Sequence, residues 1–248
     1  MKGFPALFRL ARDKRVTLAL LLCLGLLALV PVVADTGDAI TITPSVNNLE
    51  LEEGETITET VTVVVPAGAS SSKVDVYLLA DTTGSMSEPI GAVQVGASAI
   101  VDGLIADLPD VDLAFGAGDY KDFPWDAYAF RHQVSLTKAT AAVQAAIAAW
   151  AADGGSDGSE GQFFALDQLA SDVDPAGGMI GWREGAERIV VWFGDAPGHD
   201  PVCAAISGLG YDITEGSVVA ELGAEGIGVV AISTLSGYPS GLDDDPTW

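Results

Sequence analysis

Three oxygen-bearing side chains alternate along one short stretch of the chain: Asp81, Thr83 and Ser85, in Asp81-Thr82-Thr83-Gly84-Ser85-Met86-Ser87. A loop can turn all three toward one point, and Gly84 lets the backbone bend there. One carboxylate and two neutral hydroxyls make a hard, weakly charged oxygen set. Such a set suits Mg²⁺ or Mn²⁺, with water or a partner's oxygen filling the open positions. The competing reading of the same residues is a helix N-cap, the usual work of Ser and Thr ahead of a helix.

The elements around this stretch decide where it sits. Val74, Val76, Tyr77, Leu78, Leu79 and Ala80 form a near-continuous apolar run, the pattern of a strand buried on both faces of a parallel sheet. Ile90, Val93, Ala97, Ile100, Val101, Leu104 and Leu108 then recur at helical spacing up to Pro109. A buried strand, an oxygen-rich turn and a helix place the oxygens at the carboxyl edge of an open sheet, where such sheets bind ligands.

The pattern repeats. A strand over Val111 to Gly118 runs into Asp119-Tyr120-Lys121-Asp122-Phe123-Pro124, and an edge strand is expected over Ala127 to Leu136. Thr137 is read as the cap of an Ala-rich helix that packs Val143, Ile147 and Trp150. The loop Asp153 to Gly161 precedes a helix with Phe163, Leu166 and Leu169. The strand Arg188 to Gly194 ends at Asp195, Thr214 caps another helix, and Ile227 to Ser233 is a further strand. Buried strands alternating with amphipathic helices predict a doubly wound, mostly parallel α/β sheet.

Asp81-Thr82-Thr83-Gly84-Ser85-Met86 after a buried strand resembles the metal-ion-dependent adhesion site of von Willebrand factor A domains. Gly118-Asp119-Tyr120-Lys121-Asp122 is similar to the Tyr-Arg-Asp stretch of many such domains, with Asp122 the better candidate and Asp119 the alternate. Asp157-Gly158-Ser159-Glu160-Gly161 resembles the Asp-x-Pro-Glu-Gly loop of integrin β I-like domains, Ser159 replacing the proline. The resemblance covers Lys73 to about Thr234. It implies that Glu160 ligates the same metal as Asp81, Thr83 and Ser85, that Asp195 touches it through water, and that Asp157 serves a neighbouring cation, possible occupant Ca²⁺. It also implies that an acid at Glu88 helps hold an adjacent metal, against the plainer reading of a carboxylate at a helix N-terminus. A second carboxylate would tighten the metal and reduce its Lewis acidity toward a partner. Family members continue with one more strand and a closing helix. Ser236 to Trp248 is too short and polar for both, so the domain, 73–248, is expected to be C-terminally incomplete, with an exposed sheet edge.

The rest of the chain bounds the function. Residues 1–34 hold a basic start and an apolar run from Val16 to Val33, read as an export signal cut after Ala34 or, failing that, an uncleaved anchor. Setting aside their five Lys/Arg and one Asp leaves 6 of the chain's 11 basic and 34 of its 35 acidic residues, a net charge of −28. That surface repels nucleic acid and anionic membrane, and oligomeric state is not legible. Residues 35–72 are Thr- and Val-rich, with Ile57, Val61, Val63 and Val65 alternating, and are read as a β-rich segment that could be half of a β-sandwich. Cys203 is alone beyond the apolar run, which excludes an intrachain disulfide and a zinc–cysteine site there. His132 and the pair His199-Asp200 are read as surface residues.

The expected function is a secreted or cell-surface, cation-dependent protein-binding module, with Mg²⁺ (or Mn²⁺) completed by an acidic residue of a protein partner. It is not read as an enzyme: a Mg²⁺-dependent hydrolase of the haloacid-dehalogenase kind wants a carboxylate where Thr83 stands. Gly154 to Gly158 fits a hydrolase elbow in spacing but lacks the preceding strand. The third reading is a structural envelope domain whose acidic loops bind Ca²⁺.

Overall fold

Apolar runs long enough to be buried on both faces become the central strands, and their order sets the site. The computed structural model describes residues 73–234 and 241–242 in full, and the backbone of 7–8, 41–43 and 62–64. The strands in chain order are β1 (Leu7–Phe8), β2 (Thr41–Thr43), β3 (Thr62–Val64), β4 (Lys73–Asp81), β5 (Asp112–Tyr120), β6 (Phe130–Thr137), β7 (Glu187–Gly194) and β8 (Ile227–Ser233). One sheet runs in the order β1-β8-β7-β4-β5-β6, parallel throughout except for β6 at one edge. The helices are α1 (Ile90–Asp107), α2 (Thr140–Ala148), α3 (Gln162–Ala170), α4 (Ala204–Ser207) and α5 (Glu215–Ala224). This is the doubly wound, mostly parallel α/β fold that the alternation predicts.

Central β4 is buried from Asp75 to Asp81 because it has a neighbour on each side and helices over both faces. One core layer joins β4 and β5 side chains such as Leu78 and Phe115 to Val93, Ala97 and Val101 of α1 and Val143 and Ile147 of α2. The opposite layer sets Tyr77, Leu79, Trp192 and Tyr120 against Phe163, Leu166 and Leu169 of α3. Every residue of α3 is buried, so the helix after the Glu160 loop is an interior element.

After β4 the chain moves outward to β5 and β6, then returns to β7 on the other side of β4. The turn after β4 therefore opens at the point where the winding reverses, the place where open α/β sheets form a crevice. Two expectations change and one holds. Thr137 closes β6 and accepts a hydrogen bond from Ala139 N at 3.1 Å, so α2 begins three residues later than its expected cap. The β8 edge is paired at Ala231 and Ile232 by the two-residue β1, where an open edge is expected. Thr214 does cap α5, through a reciprocal pair of bonds with Ser217 at 3.1 and 2.9 Å. Among the described residues no helix follows β8. β2 and β3 pair antiparallel within the β-rich segment. The expected export signal, save Leu7 and Phe8, lies outside the described residues, as does most of residues 35–72.

Candidate metal centre

Asp81 ends β4 with no exposure, and Thr82 and Thr83 behind it are equally buried. Asp81 Oδ1 accepts from Thr83 N at 2.8 Å and Thr83 Oγ1 at 2.7 Å. Thr83 stands at the N-cap position of a short 3₁₀ turn, Gly84–Ser87, yet makes no capping bond. Its hydroxyl is turned to Asp81 and lies 3.2 Å from Ser85 Oγ, which donates to Asp195 Oδ1 at 2.9 Å. The helix-cap reading of these hydroxyls is thereby displaced by a convergent set built on Asp81, Thr83, Ser85 and Asp195.

Backbone bonds lock the neighbouring loops onto this set. Gly84 N donates to Gly154 O at 3.0 Å, and Asp153 N to Thr82 O at 3.0 Å. A Cβ on Gly84 would stand 2.8 Å from Gly154 O, too close for any other residue without movement. Gly155, at φ +68°, brings the loop to within reach of Thr83 and of Glu160 Oε1. Glu160 bridges in parallel to Gly198, with its N–H donating to Pro197 O at 2.9 Å and its carbonyl accepting from His199 N at 3.1 Å. Thus the loops after β4, β7 and α2 meet.

The two acids that end β5 have different fates. Asp119 is paired by Arg131 Nε at 2.9 Å and Nη2 at 3.0 Å, and also takes the Tyr128 and Thr82 hydroxyls. It braces the first loop from behind. Asp122 is 1% exposed, and its carboxylate accepts from Phe123 N and lies 2.8 Å from His199 Nε2. Lys121 is also buried, and its ammonium is held by Thr82 O, Asp153 O and the Asp153 carboxylate. It does not neutralise the inner carboxylates.

His199 is the residue that sequence reasoning misplaced. It is not a surface residue: its side chain is only 17% exposed and its Nε2 lies 2.8 Å from Asp122 and 3.6 Å from Asp157. One donor atom from each of Asp122, Asp157 and His199 lies within 4.8 Å of the others. The carboxylates hold the imidazole's pKa above its usual value, chiefly through the Asp122 hydrogen bond. His132 too is drawn inward, its Nδ1 2.8 Å from the Tyr77 hydroxyl and Nε2 2.9 Å from Ser135 Oγ. Glu88 lies exposed after the 3₁₀ turn and takes no part in the hydrogen bonds that join the other candidates. Ser156 of the elbow-like spacing is exposed on a loop that no strand precedes.

Electrostatics tests whether these residues suit a cation. Asp81 Oδ2, Asp122 Oδ2 and Glu160 Oε2 are buried and have no hydrogen-bond partner. No Lys or Arg hydrogen-bonds to any of these three carboxylates among the described residues. Burial, then the nearby Asp195, push the Asp81 pKa up to about 7, against the Thr83 bonds that lower it. Burial, then Asp81 and Asp122, push Glu160 up to about 10. Buried carboxylates with orphaned oxygens and no cation of their own are costly as anions. A divalent ion is what such a donor set fits.

A doubly wound sheet with this oxygen motif at its switch point is the arrangement that the resemblance to von Willebrand factor A domains implies. Residues 118–210 match the family model described as the integrin beta chain VWA domain, and this part of the chain is recognised as that branch. Two solved structures are similar. Proximal thread matrix protein 1 from the mussel byssus shares 16% identity at a TM-score of 0.44, over 64% of this chain and 37% of its own. The pilus adhesin SpaC from Lactobacillus rhamnosus GG shares 16% identity at 0.43, over 68% of this chain and 26% of its own. The chain thus spans well under half the length of those proteins. No curated protein matches its sequence.

Proposed function

We propose that the chain is an extracytoplasmic, divalent-cation-dependent protein-binding module of the adhesion type. The observation that carries this reading is the set of orphaned, buried carboxylate oxygens on Asp81, Asp122 and Glu160, beside a Thr83 hydroxyl that donates to Asp81 and a Ser85 hydroxyl next to it. Mg²⁺ or Mn²⁺ would be held by Asp81, Thr83, Ser85 and Glu160, with Asp195 behind Ser85. A bound divalent ion supplies positive charge that a partner's carboxylate can complete. Asp157 and Asp122 would serve an adjacent cation, while exposed Glu88 is the weakest candidate for either site. The family match over residues 118–210 supports adhesion over catalysis, and Thr83 offers no group to shuttle protons near neutral pH. The export-type N-terminus and the large acidic excess support a place outside the cytoplasm, with a protein rather than nucleic acid or an anionic membrane as partner. By the same reading the domain occupies residues 73–248, after the 35–72 segment and a 1–34 signal or N-terminal anchor, the retained anchor being the form in which β1 can pair with β8.

The test is calorimetric titration of the chain with Mg²⁺, Mn²⁺ and Ca²⁺ beside Asp81→Ala and Glu160→Ala, with circular dichroism to verify the fold. Saturable binding that each substitution weakens supports the reading. Titrations that both substitutions leave unchanged would mean that the ions decorate an acidic surface. Unfolding on chelation, with partner binding unaffected in the folded state, would favour a structural Ca²⁺ role.

A further inference from the structure

The Asp122–Asp157–His199 cluster offers an imidazole nitrogen where the Asp81 centre offers hydroxyl oxygens, and that nitrogen changes the chemistry. We infer that His199 is a third donor at the adjacent cation site proposed for Asp122 and Asp157, and that its imidazole makes this site select Zn²⁺, or another nitrogen-accepting divalent ion, over Ca²⁺ and Mg²⁺. The inference rests on that reading and deepens it, at donors other than Asp81, Thr83 and Ser85.

Geometry comes first. Donors bound about 2.0–2.2 Å from one tetrahedral ion lie roughly 3.3–3.6 Å apart. His199 Nε2 and Asp157 Oδ1 already stand 3.6 Å apart. His199 Nε2 and Asp122 Oδ1 are at 2.8 Å, the spacing of a shared proton, and must part by a few tenths of an ångström when an ion replaces it. All three donors fall within the 4.8 Å span that one ion can bridge.

The second observation is independent of the clustering. Asp122 is 1% exposed, its Oδ1 faces the imidazole, and its Oδ2 has no partner. A buried acceptor left unsatisfied beside a ring nitrogen is a position built for something the chain does not itself provide. The cradle is also held. His199 N is tied to Glu160 O, and Ser159 N orients Asp157 Oδ1 at 3.0 Å. Asp157 is half exposed, so an ion can enter from its side.

Selectivity follows from donor type. Carboxylates alone accommodate Ca²⁺ and Mg²⁺, whereas imidazole adds little for those hard ions and much for Zn²⁺. Two carboxylates, one imidazole and a water give the four-coordinate set that Zn²⁺ accepts.

The experiment titrates Zn²⁺ into the full chain under excess Mg²⁺ and Ca²⁺, which occupy hard-oxygen sites. One saturable Zn²⁺ site is expected, weakened at least tenfold in both His199→Ala and Asp157→Asn and retained in Asp81→Ala. Should His199→Ala misfold, Asp157→Asn carries the test, since Asp157 lies at the rim. The chain has two histidines, so proton spectra add an internal control: Zn²⁺ should shift the His199 ring signals and leave those of His132. No saturable Zn²⁺ binding under the excess Ca²⁺ and Mg²⁺, unmoved His199 signals, or wild-type Zn²⁺ binding in both cluster variants would overturn the inference. Loss of Mg²⁺ binding in Asp81→Ala, read separately, speaks only to the adhesion-type centre.

Discussion

Both ends of the central sheet bury carboxylates, and they treat them in opposite ways. At the amino edge Asp75 is wholly buried on β4, and Arg183 meets it through Nε at 2.5 Å and its backbone N at 2.7 Å. The same guanidinium reaches Asp112 at 2.8 Å, and Lys138 meets Asp112 at 2.7 Å. Those cations hold the Asp112 pKa below its usual value, the Lys138 and Arg183 hydrogen bonds acting first. At the carboxyl edge Asp81, Asp122 and Glu160 have hydroxyl, amide and imidazole neighbours and keep one bare oxygen each. One edge neutralises its charge within the chain, and the other leaves it to be neutralised from outside. A fold can carry both because only a sheet's carboxyl edge, at the switch point, is open to a ligand.

The contrast can be broken at either end. Arg183→Ala would strand Asp75 without a counterion, and a loss of about 3–5 kcal/mol is expected whatever the cation present. Urea denaturation with and without Mg²⁺ measures it, and an equal or smaller loss than at a surface arginine would dissolve the distinction. Asp81→Ala should weaken Mg²⁺ binding by about a hundredfold or more, on the order of 3 kcal/mol, because it removes the buried carboxylate that holds the Thr83 hydroxyl and keeps a bare oxygen. Calorimetry reads this directly.

pH sharpens the comparison further. The Asp81 and Glu160 pKa values are raised above their unfolded values, so the folded state holds protons that the unfolded chain releases. Their contribution to stability is full below about pH 4 and falls as pH rises through about 7 and on toward 10. In chelator, the melting temperature should therefore drop between pH 5 and 8 through these groups, roughly several degrees in all. Saturating Mg²⁺ should flatten that drop, and identical slopes with and without the ion would count against the centre. The smallest effect is expected from Glu88→Gln. With its side chain exposed and outside the hydrogen-bonded set, Mg²⁺ affinity should change by roughly twofold or less, in keeping with a screened surface charge.

Some of this was open to a reader of the sequence. The apolar run of β4, the oxygens at positions 81, 83 and 85, the loop carrying Glu160 and the acid ending β7 are local patterns with local causes. Residues that needed a partner from another element were not. Asp119 and Asp122 both follow one strand and look alike, until β6 pairs antiparallel and sets Arg131 opposite Asp119. Asp75 looked like one more residue in a strand, since Arg183 lies 108 positions away.

His199 makes the same point about function. Beside Asp200 in sequence it resembled a surface pair, but the parallel bridge between Glu160 and Gly198 swings its ring onto Asp122, 77 positions earlier. The sequence by itself determined the alternation of buried strands and helices, hence the doubly wound sheet and the edge at which its oxygens gather, because burial periodicity is written residue by residue. Tertiary structure alone decided which carboxylates found a cation within the chain and which were left bare. Charge pairing acts across space, between side chains whose closeness no spacing along the chain encodes.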